Sequence, residues 1–156
     1  MIERMFSNWH SWSERKDLPR WPGVYAIARS SKGLNAKAFT LRKEIIYFGM
    51  TNAASGLQGR LQQFDSTIIG KRSLAHGGAD RVRYRYSNYD SLVSQLYVAV
   101  ASFPCDPKLK QPADLRIMGD VARLEYLCLA EYRECFHRLP AFNDPKAPKY
   151  SKREVI

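Results

Sequence analysis

Two short apolar runs constrain this chain more than any other feature. Residues 23–28 (GVYAIA) and 44–51 (EIIYFGMT) are brief, β-prone and set off by turn residues, so each predicts a buried strand. A polar, lysine-rich stretch, residues 30–43 (SSKGLNAKAFTLRK), joins them, most simply as an antiparallel pair with a long loop. Leu57, Leu61, Phe64 and Ile68 then recur at helical spacing and predict an amphipathic helix over residues 57–69, stopped by Gly70. After the Gly77-Gly78 loop, residues 81–86 (RVRYRY) alternate strictly. That pattern predicts a third, half-buried strand with Arg81, Arg83 and Arg85 on one face.

A helix is expected over residues 89–102, then a loop rich in proline and lysine, then a long helix over residues 113–138. Pro140, Pro145 and Pro148 punctuate an extended tail. The order β-β-α-β-α-α is that of an α+β domain, with a small central antiparallel three-stranded sheet flanked by helices.

At 156 residues the chain suits one compact unit. No stretch approaches the length of a membrane span, and MIERMFSNWHSWSERK has no apolar run of the kind a secretory signal carries, so a cytoplasmic protein is expected. Three cysteines, Cys105, Cys128 and Cys135, form an odd and sparse set that argues for a reducing compartment. Zinc held by Cys128, Cys135 and His137 lacks a second cysteine pair; free thiols as core filler are favoured. The net charge is +10, and residues 1–43 carry nine basic against three acidic side chains. Such a balance favours a polyanionic partner, although a basic surface is also an ordinary solvated one.

Glu125 is the anomaly of the long helix. Met118, Val121, Ala122, Cys128, Leu129 and Tyr132 flank it at helical spacing, which places a carboxylate inside the apolar stripe. A carboxylate there needs a partner, either an arginine in a structural ion pair or a metal ion. Arg60 borders the packed face of its helix, where it either snorkels to water or meets an anion. Tyr25 and Tyr47 each lie next to or near a glycine in the two predicted strands. They are either neighbouring aromatics of the sheet or members of a site in which Gly23 and Gly49 permit close approach.

Taken in order, Gly23-Val24-Tyr25, Tyr47-Phe48-Gly49, Arg60, Glu125 and Asn143 resemble the motif series of the GIY-YIG nuclease family. The resemblance spans residues 22–144. It implies a nuclease domain there, preceded by an arm or helix in residues 1–21 and followed by a basic tail in residues 145–156. Residues 89–112 would be an inserted helix and loop. The resemblance further implies a metal-dependent endonuclease, restriction-like and possible as a homodimer, acting on double-stranded DNA to leave a 5′-phosphate and a 3′-hydroxyl. Glu125 would hold Mg²⁺ or Mn²⁺, Tyr25 would act as general base with its phenol pKa lowered by the nearby metal and Arg60, Tyr47 would orient phosphate or water, and Arg60 would clamp the phosphate.

Phe64 stands where many members carry a histidine, and His76 is the candidate to replace it. Asn143 would fix the end of the helix and the loop. Lys32, Lys37, Arg42 and Lys43, in a loop longer than the family's usual one and so expected beside the site, join Arg81, Arg83 and Arg85 as candidate contacts to the DNA backbone. Two other readings are a nucleic-acid-binding module that uses the fold without cleaving, and a basic protein that binds another protein.

Overall fold

The computed structural model describes residues 2–71 and 76–149. The chain opens with a 3₁₀ turn (Ile2–Met5), a two-residue strand β1 (His10–Ser11) and a second 3₁₀ turn (Trp12–Asp17). Strands β2 (Gly23–Arg29) and β3 (Ile45–Thr51) follow, then helices α1 (Gly56–Ile69), α2 (Gly77–Arg85) and α3 (Tyr89–Val93). Strand β4 (Leu96–Ser102) and the long helix α4 (Pro112–Phe136) complete the fold. All pairings are antiparallel, in the order β1-β4-β2-β3, so the fold is α+β with four strands rather than the three expected.

Two expected elements are corrected. Residues 81–86 belong to helix α2, not to a strand. His76 caps that helix, its Nδ1 accepting the Ala79 N–H at 3.2 Å, and Gly78, Ala79 and Val82 form the buried face. Six alternating residues are too few to establish a period, and packing against α1 decided the matter. Residues 89–102 are not one helix: α3 stops at Val93 and LYVAVAS becomes β4. A strand buried on both faces shows no alternation, so its sequence resembles that of a buried helix.

Residues 2–21, in the segment expected as an arm or a helix, contribute side chains to the core. Ile2, Phe6, Trp9, Trp12 and Leu18 are buried, and β1 closes one edge of the sheet on β4. One face of the sheet, formed by Val24, Ala26, Ala28 and Phe48, packs against Trp9, Leu34, Phe39 and the α4 side chains Val121, Leu124, Cys128 and Tyr132. The other face, with Tyr25 and Ile27, packs against Leu57, Leu61, Phe64 and Ile68 of α1 and Val82 of α2. Helix α1 ends at Gly70, whose φ of 112° only glycine adopts without strain. Cys105 and Cys128 are buried and Cys135 is exposed; all three are free thiols. No helix among the described residues is long and apolar enough to cross a membrane. Of the basic tail, residues 150–156 lie outside the described residues.

Asp65 ties the N-terminal segment to the helices. Its Oδ1 accepts from Trp12 Nε1 at 2.8 Å and from the Tyr89 hydroxyl at 2.7 Å, and its Oδ2 accepts from Arg15 at 2.9 Å. Burial, with this carboxylate taking its proton in a hydrogen bond, pushes the Tyr89 phenol up to about 12. Removing one member of a buried ion pair strands the other charge. Asp65→Ala is therefore expected to cost about 3 kcal/mol in urea unfolding. Asp65→Asn, which can still accept from Trp12 and Tyr89, should cost less; equal and small losses for both would show that the network does not hold the N-terminal segment.

Candidate active site

Strand pairing brings the two tyrosines together. Tyr25 lies opposite Gly49 and Tyr47 opposite Ile27, so the tyrosines are diagonal neighbours on one face. Their ring centroids are 6.1 Å apart. A Cβ at Gly49 would collide with the Tyr25 phenol carbon and oxygen, so the empty position opposite Tyr25 is what admits its ring. Gly23 meets a different neighbour: a Cβ there would strike the Ala101 carbonyl of β4.

His76 joins them from the start of α2. Its Nε2 lies 2.6 Å from the Tyr25 hydroxyl. Because Nδ1 accepts from Ala79, the neutral ring carries its proton on Nε2, which donates to the Tyr25 oxygen. Burial, aided by the positive charge of Arg60, lowers the His76 pKa to about 3, so the ring stays neutral. Phe64 packs against both partners, 5.1 Å from the His76 ring and 6.1 Å from that of Tyr47. The position expected to carry histidine thus lines the cluster with an apolar ring, and the imidazole arrives from α2 instead.

Tyr25 is fully buried, and its phenol is pushed well above the ordinary value by burial and by Tyr47, against the opposing pull of Arg60. Loss of water outweighs the pull of Arg60, the one cation the protein itself sets nearby; the lowering expected from the sequence calls on a metal ion as well. Tyr47 is raised as well, by burial and by Glu125, with Arg60 and Arg81 opposing.

Arg60, on α1, donates from one terminal nitrogen to Gln63 Oε1 at 2.8 Å, and its charge reaches Tyr25, Tyr47, His76 and Glu125. Glu125 is half-buried on α4. Among the described residues no hydrogen bond or ion pair holds its carboxylate, so it is not tied into a structural salt bridge. Burial raises its pKa, with Arg60 the opposing influence.

A hard divalent cation fits that donor. Mg²⁺ is commonly held by one or two carboxylates, with water and substrate phosphate completing its shell. Glu125 supplies one carboxylate with no hydrogen bond or ion pair to it among the described residues. No cluster of three or more His, Cys, Asp or Glu occurs among the described residues, so Glu125 would hold such a cation outside any cage of that kind.

Asn143 binds the outer edge of the sheet. Its Oδ1 accepts the Phe48 N–H at 2.9 Å and its Nδ2 donates to the Phe48 carbonyl at 2.8 Å, beside Tyr47. The basic residues are dispersed. Lys32, Lys37 and Lys43 are exposed, while Arg42 is paired with Glu44 at 2.8 Å. Their loop buries Leu34 and Phe39 on the sheet face opposite Tyr25, so it does not join the tyrosine cluster.

On helix α2 the three arginines no longer form a row. Arg81 acts on Tyr47, Arg83 lies against Gly70, and Arg85 is exposed with its guanidinium 5.3 Å from the Tyr86 ring. Gly78 was not singled out by sequence, yet a Cβ there would run into the Tyr47 ring. Its one legible signal was the Gly77-Gly78 pair directly after His76. The chain matches no family model, no curated protein and no solved structure.

Proposed function

We propose that this protein is a metal-dependent DNA endonuclease with a GIY-YIG-type site built from Tyr25, Tyr47, Arg60, His76 and Glu125. The observation that carries the reading is Glu125: a half-buried carboxylate with no partner among the described residues, within the field of Arg60 and the tyrosine pair. A protein that only bound nucleic acid would have no use for a carboxylate kept at that cost.

Glu125 would hold Mg²⁺ or Mn²⁺, which supplies charge neutralisation at the phosphate and the leaving oxygen. Arg60 presents a planar pair of donors to the scissile phosphate and offsets the charge that grows on its oxygens. Tyr25 would take the proton of the attacking water while in the phenolate form. The donors that favour that form are His76 Nε2–H and Arg60; burial opposes them. Tyr47 orients the phosphate beside it. The products would be a 5′-phosphate and a 3′-hydroxyl. The net charge of +10 attracts the DNA backbone without selecting sequence.

Incubation with supercoiled plasmid tests this. Nicked or linear DNA is expected with Mg²⁺ or Mn²⁺ and none with EDTA. Intact plasmid in both, together with a salt-sensitive mobility shift, would instead support the non-cleaving binding module. Intact plasmid with no shift would favour a protein partner.

A further inference from the structure

A cleft of about 470 Å³ opens between α2 and the segment after α4, lined by Arg81, Tyr84, Arg85, Tyr86 and Phe142 among others. None of its lining side chains is acidic. Its size falls in the range of small-molecule sites. The aromatic wall is held in place: Tyr86 lies edge-on to Phe142 at 6.1 Å, with the Arg29 guanidinium 4.3 Å from its ring centre. The opposite wall is fastened to the strand that carries Tyr47, since Phe142 donates its N–H to the Ile46 carbonyl at 3.0 Å and Asn143 binds Phe48. Arg81 spans both places, lining the cleft while its charge acts on Tyr47. Its Nε is buried without an acceptor among the described residues.

We propose that this cleft receives an unpaired nucleotide next to the cleaved phosphate, with the base against Tyr84, Tyr86 and Phe142 and the phosphate held by Arg81 and Arg85. The inference rests on the nuclease reading and adds a substrate subsite to it. A flat aromatic base joined to an anion matches a cleft that offers aromatic surface and guanidinium groups together. A basic peptide would be repelled, and an acidic one would leave the aromatic wall unmatched. Substrates with a flap, a fork or a flipped base near the cut would present such a nucleotide; a fully stacked duplex would have to unstack one.

Fluorescence anisotropy in EDTA tests the subsite apart from cleavage, with a labelled oligothymidylate and an abasic strand carrying the same number of phosphates. The protein is expected to bind the oligothymidylate about tenfold more tightly. Tyr84→Leu and Tyr86→Leu should each reduce that preference, read as the ratio of the two affinities for each variant. Equal affinity for the two strands, or a preference kept by both tyrosine variants, would overturn the proposal. If the base preference is present but plasmid is never cleaved, the nuclease reading fails and the cleft stands only as a nucleotide site, with no cleaved phosphate beside it. If plasmid is cleaved but the preference is absent, the subsite alone fails.

Discussion

Glu125→Gln is expected to reduce metal-dependent nicking of plasmid by about 1000-fold or more, without loss of folding stability. The size follows from removing a cation that contributes several kcal/mol at the transition state. The absence of a stability cost follows from the site itself. Burial raises the Glu125 pKa, so the folded protein binds its proton more readily than the unfolded chain, and ionisation at neutral pH works against folding. Glutamine keeps the volume and carries no charge to desolvate, so urea unfolding at neutral pH should show equal or greater stability. Mn²⁺ should raise the melting temperature of the parent protein and not that of the variant. A structural ion pair predicts the reverse: loss of stability in the variant and no response to the cation.

Acid should weaken the fold through His76. The imidazole is 1% exposed, faces Tyr25, Tyr47 and Arg60, and has its pKa lowered from 6.5 to about 3. Between those values the unfolded chain takes up a proton that the folded chain refuses. Stability contributed by the neutral ring is therefore complete above pH 6.5 and is lost as pH falls towards about 3. Two pH units below the unfolded value, the loss is up to about 2.7 kcal/mol.

His76→Gln removes the titration and retains an amide that can donate to Tyr25. Urea unfolding at neutral pH and at pH 4.5 is expected to show the parent protein losing about 2 kcal/mol more than the variant between the two conditions. The Arg15–Asp65 pair is common to both proteins and cancels in the comparison. Parallel losses would mean that His76 is readily protonated in the fold and does not stand as the neutral donor to Tyr25.

Much of the framework was legible along the chain. β2 and β3 announced themselves as short β-prone runs between turn residues, and α1 by Leu57, Leu61, Phe64 and Ile68 ahead of Gly70. The anomalous carboxylate on α4 was visible because helical spacing alone placed Glu125 next to Val121 and Cys128. The motif order singled out Tyr25, Tyr47, Arg60 and Glu125, which the fold brings within one another's electrostatic reach.

Other features were hidden by physics that acts only between distant residues. Nothing local distinguishes LYVAVAS as strand from helix; hydrogen bonds to β1 on one side and β2 on the other decide it. Nothing local makes RVRYRY helical; the His76 cap and the packing of Val82 against α1 do so, and they separate Arg81 from Arg83. How completely Tyr25 is withdrawn from water likewise escaped the sequence, because it depends on what the sheet and the helices pack around it.

By itself, then, the sequence determined which segments are apolar enough to be strands, which residue types carry charge into apolar surroundings, and where helix α1 must stop. The tertiary structure decided which strands are central, which imidazole nitrogen meets Tyr25, and that Glu125 has no partner among the described residues. The division has a physical cause. Periodicity and turn chemistry act over a few residues, whereas desolvation and strand pairing depend on what the rest of the chain places opposite.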